Sequence, residues 1–142
     1  MNEQWKALIL DHYKNPRHYE NVTGAHFSSE QHNRTCGDNV KVFASLDGEA
    51  HAHFRFIGAG CSLCLASASL MMELVDDKGI DEVRLVRDEF LKVWEEGAPD
   101  EALDTWKALD GLRSYPVRSR CVKLAWQALD EIYDHWAQAA KA

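Results

Sequence analysis

Long apolar runs are missing from this 142-residue chain, and none approaches the roughly 20 residues that a membrane-spanning helix needs. Glu3, Lys6, Asp11, His12 and Lys14 also interrupt the first fifteen residues, so no secretory leader is expected. A basic excess is missing too. Sixteen Lys and Arg face 23 Asp and Glu, giving a net charge of -7. A nucleic-acid binder needs a basic footprint to neutralise phosphates, and an anionic membrane surface asks for the same, so neither partner is expected. Repeats, low-complexity tracts and a Pro-rich linker are absent, with only three prolines in the chain. One domain over residues 1–142 is therefore expected. The setting expected is the cytoplasm, where thiols stay reduced. Four cysteines there read as metal-binding or catalytic rather than as a disulfide frame. A chain of this length can bury a real core, so it needs no metal merely to fold.

What is present divides into recognisable elements. Trp5, Leu8, Ile9 and His12 stand at helical spacing and predict a helix over 3–14, ended by Asn15-Pro16. Residues 17–35 read as polar and irregular, with one short strand near His26–Phe27. Further helices are predicted over 62–76, 80–96, 99–110 and from 114–116 to about 139. The last carries Val122, Ala125, Leu129, Ile132 and Trp136 as an apolar stripe. Ser62 is the expected cap of the helix it opens. The fold class expected is α+β, a small antiparallel β-sheet packed against several helices.

The sheet is announced by alternation. Val40, Val42, Ala44 and Leu46 form one series, and Ala50, Ala52, Phe54 and Phe56 form another after Asp47-Gly48-Glu49. A three-residue loop at 47–49 pairs Leu46 with Ala50, Ala44 with Ala52, Val42 with Phe54 and Val40 with Phe56, keeping one face apolar. Extended, that register places Asp38 opposite Gly58 and Cys36 opposite Gly60. Directly paired Cα atoms lie about 4.5–5.5 Å apart, so Cys36, Asp38 and Cys61 meet at the open end of the hairpin. His51 and His53 sit near the other end, on the opposite face.

Each motif also has a plainer reading. Cys36-Gly37-Asp38 sets a thiol and a carboxylate two apart on one strand, hence on one face; the alternative is a buried cysteine at a strand start with a turn-forming Gly-Asp. Cys61 follows a Gly58-Ala59-Gly60 turn at a helix N-terminus, where negative charge is favoured. Cys121 follows Arg118 and Arg120, and its plain reading is helix packing. Three cysteines and an aspartate match the donor set of a tetrahedral zinc site, although the usual paired C-x-x-C knuckles are missing and only Cys61-Ser62-Leu63-Cys64 has that form. Cys64 reads as a fourth ligand, a resolving thiol or a core residue, with the core or a place beside the site preferred. His32 is the one histidine that reads as an extra ligand, and His12 reads as surface or partner-facing.

Asp11-His12-Tyr13 through Asn15-Pro16-Arg17 resembles the N-terminal signature of the U-type iron–sulfur cluster assembly family. Cys36-Gly37-Asp38, then Gly58-Ala59-Gly60-Cys61 with Ala66-Ser67-Ala68-Ser69, and finally Cys121 resemble its three-cysteine pattern over nearly the whole chain. The SufU type is similar in the long insert, with 60 positions separating Cys61 from Cys121, and in Tyr115-Pro116-Val117-Arg118-Ser119-Arg120-Cys121. Scaffold-type members typically carry histidine just before the third cysteine, where this chain has Arg120. Arg34 and Cys64 also depart from the SufU-like pattern, which often has proline at the first position and usually no cysteine at the second.

The resemblance implies a SufE/NifU-like fold and a zinc-dependent sulfurtransferase. Its partners would be a PLP-dependent, SufS-like cysteine desulfurase and downstream iron–sulfur assembly proteins. Zn²⁺ would be held by Cys36, Asp38, Cys61 and Cys121, with Cys36 receiving the sulfur and Arg118 steadying a released thiolate. A scaffold holding iron or an iron–sulfur cluster is the alternative, and a purely structural zinc module is the third reading.

Overall fold

The computed structural model describes residues 3–48 and 50–141. Its elements are α1 (Glu3–Lys14), β1 (Phe27–Asn33), β2 (Asp38–Leu46), β3 (Ala52–Ala59), α2 (Ser62–Val75), α3 (Ile80–Glu96), α4 (Asp104–Leu112) and α5 (Ser119–Lys141). A 3₁₀ turn over Pro116–Arg118 leads into α5. The strands form one antiparallel sheet in the order β1-β2-β3, and the fold is α+β as expected. The described helices and strands are those of a sheet with one face covered by helices, chiefly α5 and α2.

Alternation explains which face is covered. Val40, Val42 and Ala44 of β2 and Ala52, Phe54 and Phe56 of β3 have no exposed surface. They meet α2, which buries residues on nearly every side, including Cys64, Ala66, Ala68, Leu70, Met71 and Met72. A helix apolar all round belongs in an interior, and α2 is surrounded by the sheet, α1, α4 and α5. Two serines on it are satisfied inside the core. Ser67 donates to the Val122 carbonyl at 2.7 Å and accepts from Trp126 Nε1 at 3.2 Å. α3, inside the long insert, docks on α5 through Phe90 stacked on Trp126, with ring centroids 4.0 Å apart.

Several expectations are corrected. The β2–β3 register is Leu46 with Ala52, Ala44 with Phe54, Val42 with Phe56 and Val40 with Gly58, two residues away from the expected pairing. β2 ends at Leu46 and β3 begins at Ala52, so the connection is longer than the expected three residues. Asp47 N–H donates to the His51 carbonyl at 3.0 Å. Ala50 adopts φ +63°, the left-handed conformation that commonly closes a hairpin loop. (Glu49, part of the expected loop, lies outside the described residues.) A shift of two conserves parity, so the apolar face survives. Its open end moves, however, and neither Asp38–Gly58 nor Cys36–Gly60 is a pair. β1 runs over seven residues rather than a short stretch at His26–Phe27, and α4 begins at Asp104 rather than near 99. The N-cap of α2 is Cys61 rather than Ser62, without a side-chain capping bond.

His12 is fully buried, not on the surface. α1 packs against α2, placing His12 Nδ1 2.7 Å from Ser69 Oγ and Nε2 3.2 Å from Glu73 Oε1. Ser69 Oγ also accepts the Arg17 N–H at 2.8 Å, which ties the segment after α1 to the same point. Burial outweighs Glu73 and lowers the His12 pKa below its ordinary 6.5, with Arg17 lowering it and Asp11 raising it. The unfolded chain therefore binds a proton that the folded chain refuses. The stability from a neutral His12 is complete above pH 6.5 and is lost as pH falls through that value toward the folded pKa. Urea melts of wild type and His12→Gln should show it: wild type loses more stability between about pH 7 and about pH 5 than the variant does.

Candidate metal centre

Four segments converge at the end of the sheet where β1 turns into β2. The turn over 34–37 is tight. Gly37 N–H donates to the Asn33 carbonyl at 2.8 Å, Thr35 N–H donates to Asn33 Oδ1 at 3.2 Å, and Gly37 takes φ +74°. Cys36 lies in this turn and is exposed, so it does not share a strand face with Asp38 as the sequence suggests. Asp38 opens β2 opposite Asn33 and is 3% exposed. Cys121, in the first turn of α5, is fully buried. The Sγ atoms of Cys36 and Cys121 and a carboxylate oxygen of Asp38 all lie within 4.8 Å of one another.

The surroundings hold this arrangement. Asp38 Oδ1 accepts the Cys61 N–H at 3.0 Å at the start of α2. Its other oxygen, Oδ2, is buried with no hydrogen-bond partner among the described residues. A buried, unpaired carboxylate oxygen is costly to leave without a partner. Asn33 Nδ2 lies 3.4 Å from Cys121 Sγ, within reach to donate to it. Burial raises the Cys121 thiol well above the ordinary range, Asp38 and Cys36 add to the rise, and Asn33 opposes it. This thiol stays protonated at neutral pH unless a cation compensates the charge of its thiolate. Two thiols beside an orphaned carboxylate oxygen fit a borderline-soft divalent ion such as Zn²⁺ or Fe²⁺.

The remaining sequence candidates fall around this cluster. Cys61 is half-buried at the N-cap of α2 and touches Asp38 through its backbone; its thiol is outside the mutually close set. Arg118 ends the 3₁₀ turn, three positions before Cys121, with its side chain in solvent. Cys64 is core, with no exposed surface. Burial, then Asp38 and Cys61, pushes its thiol up to about 12, which suits an inert packing residue. His32 is exposed and lies 3.6 Å from Glu30, outside the cluster. Asn33 and Gly60 are supporting residues; the sequence names Gly60 only as part of the turn before Cys61 and does not single out Asn33. The Gly58-Ala59-Gly60 turn is a signal for the second, because repeated glycine marks a close approach. Nothing in the sequence signals Asn33.

A family profile described as NifU-like N terminal domain matches residues 4–139. The chain belongs to that family. A Bacillus subtilis relative named zinc-dependent sulfurtransferase SufU is 33% identical to this NifU-like chain over 129 residues, 89% of this chain and 87% of that protein. A Streptococcus pyogenes relative named iron–sulfur cluster assembly scaffold protein IscU is 30% identical over 141 residues, 98% and 88% of the two chains. A crystal structure described as an iron–sulfur cluster assembly scaffold protein for the SUF system, from Fervidobacterium islandicum, superposes with a TM-score of 0.77 at 26% identity. That match covers 89% of this chain and 93% of the other. The NifU-like fold and the placement of this chain in iron–sulfur cluster assembly follow. No described helix of this NifU-like domain is long and apolar enough to cross a membrane.

Proposed function

We propose that this chain is a zinc-dependent sulfur acceptor that takes persulfide sulfur from a PLP-dependent, SufS-like cysteine desulfurase. It would act as one cytoplasmic domain and pass the sulfur to downstream iron–sulfur assembly proteins. The observation that carries the reading is the unequal exposure of clustered donors. Cys36 is exposed in a turn, whereas Asp38 and Cys121 are buried. An anchor belongs inside and an acceptor thiol must be reachable. The Bacillus subtilis relative, named a zinc-dependent sulfurtransferase, supports the same side.

Zn²⁺ held by Cys36, Asp38, Cys61 and Cys121 would keep their thiols deprotonated at neutral pH while bringing no redox chemistry of its own. Asp38 is suited to this because Cys61 N–H fixes one oxygen and leaves Oδ2 for the ion. The Cys36 thiolate attacks the terminal sulfur of the desulfurase persulfide. The donor S–S bond breaks, a new one forms on Cys36, and the donor cysteine leaves as a thiolate. Arg118, exposed close in sequence to Cys121, offsets negative charge as the thiolates exchange. A scaffold holding iron or an iron–sulfur cluster on the same donors is the second reading, favoured by the Streptococcus pyogenes relative. Arg120 stands against it, because scaffold-type members typically carry histidine at that position.

The test is desulfurase turnover with and without the chain, together with metal content after anaerobic isolation. Stimulated turnover, a trapped persulfide and stoichiometric zinc are the expected results. A chain that neither stimulates nor carries persulfide sinks the acceptor reading, and a bound coloured cluster selects the scaffold.

A further inference from the structure

A second group of metal-ligating side chains lies at the other end of β2. Asp47 directly follows that strand, His51 precedes β3 and His53 lies on it, and Asp77 comes from the connection between α2 and α3. One donor atom each of Asp47, His51 and Asp77 lies within 4.8 Å of the others. His53 joins the same corner, with Nε2 2.9 Å from Asp47 Oδ2. His51 Nδ1 is 3.4 Å from Asp77 Oδ1. Parity explains the grouping, since His51 and His53 point away from the face on which Ala52 and Phe54 are buried.

The backbone fixes this corner from three directions. Asp47 Oδ1 accepts the His51 N–H at 3.1 Å. Asp77 N–H donates to the Ala52 carbonyl at 2.8 Å, and Ala52 N–H to the Lys78 carbonyl at 2.9 Å, so the α2–α3 connection is stitched to the hairpin. The plain alternative is two partly exposed His–Asp pairs, each contributing little to stability. Two such pairs placed independently have no reason to converge. Here Asp47 contacts both histidines, and the donor atoms of three residues stand at the mutual spacing of ligands around one ion.

We propose that Asp47, His51, His53 and Asp77 form a second metal site, selective for a borderline divalent ion of the zinc, cobalt or nickel class. One imidazole and two carboxylates, from His51, Asp47 and Asp77, give the mutually close set, and His53 beside Asp47 supplies a second imidazole at the corner. Imidazole suits zinc, nickel and copper, whereas Mg²⁺ and Ca²⁺ prefer oxygen alone. The site is separate from the cysteine cluster, because the nine positions from Asp38 to Asp47 span roughly 30 Å of extended strand. It contains no thiol, so its ion is exchangeable without sulfur chemistry and clamps the hairpin tip to the α2–α3 connection. Binding to the folded form alone raises the melting temperature with ion concentration.

Co²⁺ and Zn²⁺ titrations of the full chain, read by calorimetry and by the near-ultraviolet charge-transfer band of thiolate-bound Co²⁺, test this independently of the cysteine cluster. Wild type is expected to take up about two equivalents. The paired substitution His51→Ala with His53→Ala, and separately Asp77→Asn, should remove about one equivalent and leave the charge-transfer band intact. Cys36→Ser should weaken that band and leave the second equivalent in place. If the histidine and Asp77 variants, folded by circular dichroism, bind as many equivalents as wild type, the site is overturned. Equal binding of Mg²⁺ overturns its selectivity. Failure of the cysteine reading appears instead as a missing charge-transfer band in wild type.

Discussion

Cys36→Ser is expected to abolish sulfur acceptance and leave the fold standing. Cys36 is exposed in the turn over 34–37, and the hydrogen bonds that hold that turn run through Asn33, Thr35 and Gly37. The substitution leaves those hydrogen bonds in place, so the stability of the metal-free chain should change by less than about 0.5 kcal/mol. A serine hydroxyl is not ionised at neutral pH and forms no persulfide, so desulfurase stimulation should fall about a hundredfold or more. Zinc is expected to bind more weakly rather than to vanish, since Asp38 and Cys121 remain. The measurements are alanine release by the matching desulfurase and mass spectrometry of trapped persulfide. Sulfur found on Cys61 or Cys121 of the variant would reassign the acceptor; an unchanged rate would remove thiol transfer from this chain.

Gly60→Ala is expected to cripple the metal centre without touching a single donor atom. Gly60 adopts φ +147°, a backbone region that side chains rarely enter. A Cβ there would lie 2.6 Å from Asp38 Cγ and 2.8 Å from Asp38 Cβ, and would collide with Oδ1. Asp38 cannot retreat, because it begins β2 and is walled in. The strained backbone alone costs about 1–3 kcal/mol. Displacing Oδ1 also strands the Cys61 N–H that it accepts, and misaims Oδ2. Zinc affinity should fall by about 10–100-fold, as when groups that orient ligands are removed. Gly24→Ala is the control: Gly24 also has positive φ, at +80°, but an added methyl there would meet nothing within 4 Å. It should lose stability and keep its zinc. Equal zinc losses in the two variants would leave Asp38 without the orienting contact assigned to it.

Much of this architecture is legible in the amino-acid order. α3 stands at the expected 80–96 because Val83, Val86, Phe90 and Val93 recur at helical spacing between two glycines, and α2 ends within a residue of its expected end as a run rich in Ala, Leu and Met after a glycine turn. β2 and β3 are legible because apolar residues alternate along one face of each, although Phe43 on the other face is buried as well. β1 is not, since Phe27-Ser28-Ser29-Glu30-Gln31-His32-Asn33 buries only Ser29 and Asn33 and has no apolar series. That omission carries a second error. Without β1, Cys36 looks like a strand residue, whereas it belongs to the turn that joins β1 to β2. Periodicity places His12 correctly on the inner stripe of α1, but its polarity argues for the surface; buried partners on α2 reverse that. Cys121 is out of reach of any local rule, because nothing in a sequence's spacing shows where a helix docks.

The donors around Asp38 are drawn from distant stretches of the chain, with 85 positions between Cys36 and Cys121. A growing polypeptide has its first thiol and its carboxylate long before it has the last cysteine. Until α5 has been synthesised and has settled against the sheet, no more than part of the donor set exists. Completion of this donor set is therefore a late event in the life of the chain, and an ion captured there would report that the final helix is home. Half-made copies would compete poorly for scarce metal, which leaves the supply to finished molecules.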